Sequence, residues 1–125
     1  MQKLVYPEES YAIMGAAFEV YKEVGCGFLE AIYQEALLLE FARRRIPFQS
    51  PMKLPLEYKG TLLTQEFFAD IACYDKILLE RKAVSDLCEA HEAQPHNYLK
   101  MSGMKLGILI NFGHHPKLEY KRIAM

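Results

Sequence analysis

Hydrophobic residues recur at intervals of three and four along the first third of the chain, which is the spacing of one helix face. The first such stretch runs from about Pro7 to Val24, with a proline in its first turn and Gly25 where it should end. The second runs from about Leu29 to Arg45, and its terminal arginines suit the negative end of a helix dipole. These patterns predict two consecutive amphipathic helices.

After the second helix, short apolar runs alternate with prolines, glycines and polar turns, a pattern typical of β-strands. A third helix is predicted over about 88–102, between two of these strands. The predicted strands cover approximately 54–58, 61–67, 68–73, 77–84, 105–112 and 118–124. The order α-α-β-β-β-β-α-β-β predicts an α/β fold in which a mixed sheet is flanked by helices.

Composition narrows the class of protein without naming a function. A chain of 125 residues with 51% hydrophobic and 25% charged residues is expected to form a single domain over 1–125. No apolar run approaches the roughly 18–20 residues that a membrane span needs, so we expect no membrane partner. The three cysteines form no CxxC pair and nothing resembles a signal peptide, which predicts reduced thiols and a cytoplasmic location.

Two carboxylates on neighbouring predicted strands form the most informative pattern. If Asp75 lies at the turn between these strands, residues whose numbers sum to about 150 face each other. Asp70 then lies opposite Glu80, with the two side chains about 5 Å apart on one face. Carboxylates this close repel each other unless a cation lies between them. We therefore predict Asp70 and Glu80 as ligands of Mg²⁺ or Mn²⁺.

Lys82 completes this candidate centre, because strand alternation puts it on the same face as Glu80 and puts Arg81 on the other face. An ammonium beside a metal can orient an attacking water, so the three side chains fit metal-assisted hydrolysis of a phosphodiester. The alternative is a solvent-facing cross-strand pair without a catalytic role. Glu80 interrupts an apolar run, where a charge is costly unless it is used, and this favours the catalytic interpretation.

Helical residues are also candidates for this centre. Glu30 shares a helix face with Tyr33, so its carboxylate is expected to point inward and to find a partner in the centre, either a metal-bound water or the lysine. His91, Gln94 and Tyr98 are spaced i, i+3 and i+7, which places them on one face of the third helix. They are predicted to bind substrate phosphate or base. The alternative is a polar shoulder that fixes the helix on the sheet.

Two adjacent histidines, His114 and His115, precede Pro116 in a predicted loop. Neighbouring residues rarely aim at one ion, so we do not predict a metal site from this pair.

The motifs resemble those of the GxxExxY family, which is grouped with the PD-(D/E)XK nucleases. The namesake motif reads from Gly27 through Glu30 to Tyr33, and the other matching segments follow in the family's order over nearly the whole chain. These segments are GAAFEVYKEVG at 15–25, FFAD at 67–70, LERKAV at 79–84, HEAQ at 91–94 with Tyr98, and LGILINF at 106–112.

The resemblance implies a restriction-endonuclease-like core with Asp70 and Glu80 as metal ligands and Lys82 as the catalytic lysine. It also implies Glu30 as the helix carboxylate and Gln94 as the glutamine of the helix after the E-x-K strand. Tyr33 joins His91, Gln94 and Tyr98 as an expected substrate-binding residue. One departure is Pro95, next to Gln94, because proline in a helix predicts either a bend or a later helix start.

The expected function is a metal-dependent nuclease, or a nuclease-like protein in nucleic-acid processing or defence, with DNA or RNA as its partner. The alternative is a non-catalytic binding module that retains the nuclease fold. The formal net charge of −1 favours that alternative, since it does not suggest a nucleic-acid binder. A chain this small offers little surface for gripping a duplex, so a homodimer or a partner protein is also expected.

Overall fold

The computed structural model describes residues 4–125, in which the three predicted helices are present and the strands are shorter and more numerous than the six predicted. The strand Phe48–Gln49 was not predicted, and Met52–Leu54 begins before the first predicted strand. The helices are α1 (Pro7–Val24), α2 (Glu30–Arg43) and α3 (Glu89–Ser102). The strands are β1 (Phe48–Gln49), β2 (Met52–Leu54), β3 (Glu57–Tyr58), β4 (Thr61–Leu62), β5 (Phe67–Ala69), β6 (Ile71–Cys73), β7 (Ile77–Lys82), β8 (Leu106–Asn111) and β9 (Glu119–Ala124).

The main sheet has five strands in the order β1-β6-β7-β8-β9. β7 and β8 run parallel and are joined through α3, whereas the other pairs are antiparallel. Every residue of β8 is buried, as expected for a central strand with both faces covered. The prediction of a mixed sheet flanked by helices is therefore confirmed.

Helices cover both faces of the sheet and create two apolar cores. Ile77 and Leu79 point into the core under α1 and α2. Leu78, between them, points into a second core with Leu99 of α3. This alternation assigns a face to every residue of β7. Glu80 and Lys82 belong to the α3 side, and Arg81 belongs to the side of α1 and α2.

The predicted strand over 68–73 is divided in two at Asp70. β5 pairs with β2 in a separate two-stranded sheet, whereas β6 pairs with β1 and β7 in the main sheet. Hydrophobic alternation continues through the break, so it could not reveal that the two halves have different partners. The consequence is that Asp70 lies where the chain passes from one sheet to the other.

The third helix neither starts at Pro95 nor ends there, because α3 is one element with a buried Pro95 inside it. His91, Gln94 and Tyr98 therefore belong to a single helix. Within the described range 4–125, no helix combines the length and the apolar character needed to cross a membrane.

Candidate metal centre

The β6–β7 hairpin sets the relative positions of the two predicted metal ligands. Tyr74 and Asp75 form its turn with left-handed backbone angles, φ 56° and 59°. Cross-strand partners have residue numbers that sum to 150, as predicted, and extending the register by one residue brings Asp70 level with Glu80. The paired residues are Ile71 with Leu79, Ala72 with Leu78, and Cys73 with Ile77.

Asp70 is held through both its side chain and its backbone. Its Oδ2 accepts a hydrogen bond from the Arg81 backbone N–H at 3.1 Å and lies 3.7 Å from the Arg81 guanidinium. Its carbonyl oxygen accepts hydrogen bonds from Ser50 Oγ at 2.6 Å and from Gln34 Nε2 at 3.3 Å. The carboxylate is thus fixed in position where the chain changes sheets.

Glu80 is the electrostatically perturbed member of the pair. Its Oε1 is buried and has no hydrogen-bond partner. The pKa of Glu80 is raised to about 8, mainly by burial and then by the charge of Asp70 and a hydrogen bond with it, while the charges of Lys82 and Arg81 oppose the increase. With no cation beside it, Glu80 therefore keeps its proton at pH 7.

Glu30 reaches this centre through Arg81. Its Oε2 lies 3.1 Å from Arg81 Nη1, and its side chain is 44% exposed. Among the described residues its ion-pair partner is therefore Arg81, on the α2 side of β7, and not Lys82. The same guanidinium faces Asp70, so the three side chains form a chain of contacts from α2 to the carboxylate. No ion pair joins Asp70 to Lys82 among the described residues.

The α3 candidates lie on one helix but make different contacts. His91 Nδ1 accepts a hydrogen bond from the Cys88 backbone N–H at 3.1 Å and so caps the helix. The Tyr98 ring stacks on Phe67 of β5, with centroids 3.4 Å apart. Gln94 is exposed. A shallow depression is lined by Ala90, Ala93, Gln94, Asn97, Tyr98 and Met101. Its lining does not include Asp70, Glu80 or Lys82.

Tyr33 is fully buried between α2 and the sheet. Its hydroxyl donates a hydrogen bond to the Gly25 carbonyl oxygen at 2.6 Å and accepts one from the Phe28 backbone N–H at 3.2 Å. Its ring stacks on Phe112, the residue directly after β8, with centroids 4.8 Å apart. These contacts join the end of α1 to the start of α2 and leave no part of Tyr33 exposed at the surface.

Several residues that support the centre were missed from the sequence. Arg81, Gln34 and Ser50 act through contacts between distant segments, for which a single sequence carries no signal. Asn111 does not contact Asp70 or Glu80 but fixes the segments that follow β7 and β8, and it did leave a signal as the polar residue near the end of an apolar run. It is fully buried, and its Oδ1 accepts hydrogen bonds from Val84 and Gly113 backbone N–H groups at 3.0 and 3.1 Å.

Comparisons with known proteins agree with this architecture. A family model for the PD-(D/E)XK nuclease superfamily matches residues 7–123. A crystal structure of the protein SSO0001 is similar, with a TM-score of 0.58 and 15% sequence identity, over 95% of this chain and 59% of that one. At this identity the similarity shows the fold alone, and the chain spans well under two thirds of that protein. No curated protein matches the sequence.

Proposed function

The chain belongs to the PD-(D/E)XK nuclease superfamily, and from this membership we propose that it is a metal-dependent nuclease that hydrolyses phosphodiesters of DNA or RNA. Membership implies a nuclease-like domain and a nucleic-acid substrate, and proteins of this superfamily typically use divalent metals. The observation that carries the proposal is the convergence of Asp70 and Glu80 around a buried carboxylate oxygen that has no partner.

The two carboxylates fit a divalent cation such as Mg²⁺ or Mn²⁺. Glu80 Oε1 is buried without a hydrogen bond, and Asp70 disfavours its ionisation, so a positive charge between them would relieve both costs. Asp70 uses Oδ2 for the hydrogen bond from Arg81, and an ion would take the place of the proton that Glu80 shares with Asp70. Carboxylate oxygens are the ligands that Mg²⁺ prefers in proteins.

Each side chain then has a separate task. A bound divalent cation would activate a water and stabilise the charge that develops on the phosphate. Lys82, on the same face of β7 as Glu80, would hold the attacking water or the phosphate oxygens through its ammonium group. Glu30 would act as a positioning residue, because it orients Arg81, which in turn holds Asp70.

We further propose that the chain is a GxxExxY protein, because the motif has a physical basis here. Gly27 has a φ of 106°, which favours glycine. Glu30 anchors Arg81, and the Tyr33 hydroxyl joins the end of α1 to the start of α2. The motif thus positions α2 beside the strand that carries Glu80.

For substrate contact we propose the exposed amide of Gln94 and the edge of Tyr98 on α3, while His91 is assigned to capping. Both side chains are available on the surface near β5, which ends next to Asp70.

We also propose that the chain forms a single domain over 1–125 and acts in the cytoplasm. It would act as a homodimer or with a partner protein that adds further contacts to the nucleic acid.

A cleavage assay tests the proposed function. Wild type should cut at least one of single- or double-stranded DNA and RNA with Mg²⁺ or Mn²⁺, and not in EDTA. Asp70→Asn and Lys82→Met should each lose about 100-fold or more of the rate. Asp75→Asn is the matched control, because it changes an exposed carboxylate in the turn of the same hairpin. Cleavage of none of the four substrates would contradict the proposal.

The second candidate is a non-catalytic binding module that retains the fold. The observation that favours it is the engagement of Asp70 by Arg81, which already supplies a positive charge to one carboxylate. Nucleic-acid binding without cleavage, unchanged by Asp70→Asn, would support this second function.

A further inference from the structure

Three potential metal ligands meet outside the centre at Asp70, where β7 and β8 end. Asp86 follows β7, His114 follows β8, and Glu119 begins β9. Each residue offers one ligand atom, and these atoms all lie within 4.8 Å of one another. Asp86 lies 28 residues before His114 in the sequence, so the fold brings it to the pair formed by His114 and Glu119, which are five residues apart.

The distances suit a single ion. His114 Nε2 lies 3.6 Å from Asp86 Oδ1. Two ligands about 2.1 Å from a tetrahedral ion are roughly 3.4 Å apart. An ion between the imidazole and the carboxylate therefore needs only a small adjustment of either side chain.

The orientation of His114 is that of a metal ligand. Its Nδ1 lies 2.8 Å from the Lys117 carbonyl oxygen, which can only accept a hydrogen bond, so Nδ1 is the donor. In the neutral ring, the lone pair of Nε2 then faces the Asp86 carboxylate at 3.6 Å. Either a proton on Nε2 or a bound cation satisfies these two electron pairs, and a cation can engage Glu119 as well. Histidines that bind metals commonly donate their other N–H to a backbone carbonyl in this way.

Two hydrogen bonds hold the Glu119 carboxylate in place. Its Oε1 accepts hydrogen bonds from the Leu87 backbone N–H at 3.0 Å and from Asn111 Nδ2 at 2.9 Å. Oε2 therefore remains for an ion. Asn111 is fully buried and also binds the backbone N–H groups of Val84 and Gly113, so it fixes the segments that carry Asp86 and His114.

From this juxtaposition we infer that Asp86, His114 and Glu119 form a second metal site, which takes a divalent transition ion. One imidazole nitrogen with two carboxylate oxygens suits borderline ions such as Zn²⁺ better than Mg²⁺. The ion would tie together the three segments that follow β7, follow β8 and begin β9. The inference goes beyond the proposed nuclease function and does not depend on it.

Metal titration of the full chain, stripped with EDTA and desalted, tests this site. Zn²⁺ is titrated against a chromophoric chelator, and Co²⁺ is used for its ligand-field absorption. Wild type should bind one Zn²⁺ per chain at micromolar concentration, and Zn²⁺ should raise its Tm. Asp86→Asn and His114→Ala should weaken binding by at least about tenfold and abolish the Tm increase.

His115→Ala is the matched control, because it removes the adjacent exposed histidine and should leave binding unchanged. Asp86 has a side chain that is 76% exposed, so Asp86→Asn should fold even if His114→Ala does not. Asp70→Asn should keep Zn²⁺ binding while losing any Mg²⁺-dependent cleavage, which separates this site from the proposed nuclease centre.

The inference is overturned if wild type binds neither Zn²⁺ nor Co²⁺ at millimolar concentration. It is equally overturned if His115→Ala weakens binding as much as His114→Ala does, or if Asp70→Asn abolishes it.

Discussion

Glu80 connects the chemistry of the candidate centre to the stability of the fold. Its pKa rises from 4.5 to about 8, first through burial and then through the neighbouring Asp70. Between these values, the unfolded chain has released the proton while the folded chain still binds it. The free energy of unfolding therefore falls as pH rises from about 4.5 to about 8, and this contribution is constant above that range.

Replacing Glu80 by glutamine should remove this pH dependence. At pH 9 without divalent metal, Glu80→Gln should increase the free energy of unfolding by an amount on the order of 2 kcal/mol, less than the full pKa shift implies because water screens the site. At pH 4, where the wild-type carboxyl is neutral, the difference should largely vanish. Urea unfolding at a series of pH values in EDTA measures this. Glu57→Gln, on an exposed strand, is the control, and an equal response in both variants would refute the argument.

At this scale the sequence was informative wherever the geometry is local. Strand alternation and one turn were enough to predict the register that brings Asp70 level with Glu80 and to separate Arg81 from Lys82. The partner of Glu30 was not predictable, because it depends on how α2 docks on the sheet. The cluster at His114 was not predictable for the same reason: the adjacent His115 is not part of it, and Asp86 joins it from 28 residues earlier in the sequence.

The connection between α1 and α2 depends on one buried hydroxyl. Tyr33 joins the Gly25 carbonyl to the Phe28 N–H, and both bonds would be lost in Tyr33→Phe. We expect this variant to lose about 1–2 kcal/mol of unfolding free energy, since two partly buried hydrogen bonds are lost. Metal binding and any cleavage should be unchanged.

Chemical denaturation and the cleavage assay check this prediction together. Tyr11→Phe is the control, because Tyr11 is 83% exposed on α1. Normal stability combined with weaker substrate binding in Tyr33→Phe would contradict this expectation and support the predicted substrate-binding role of Tyr33.

Among the elements, the helices were predicted more completely than the strands. α1 matches its predicted bounds, and α3 differs by one residue at its start, because helix periodicity and caps are local signals. The strand divided at Asp70 was predicted as one, because strand partners are chosen over long distances. Pro95 predicted either a bend or a later start of the helix, and α3 continues through it as one helix from Glu89 to Ser102.

The net charge of the whole molecule is small for a protein proposed to bind nucleic acid. The formal net charge is −1, and the candidate centre itself concentrates carboxylates. Phosphates are therefore attracted only by local basic groups or by bound cations. Among the two functions proposed above, catalysis requires the bound cation, whereas simple binding does not.

This difference predicts metal-dependent binding of nucleic acid by the intact chain. In Lys82→Met, chosen to prevent cleavage, a labelled oligonucleotide should bind at least about tenfold more tightly in Mg²⁺ than in EDTA at matched ionic strength, because the ion neutralises the carboxylates that repel phosphate. Adding Asp70→Asn should remove the increase, and adding Asp75→Asn should preserve it. Fluorescence anisotropy at several salt concentrations separates this effect from general screening. Equal affinity in Mg²⁺ and EDTA would mean that basic side chains alone bind the oligonucleotide. The binding-module function would then be favoured over the nuclease.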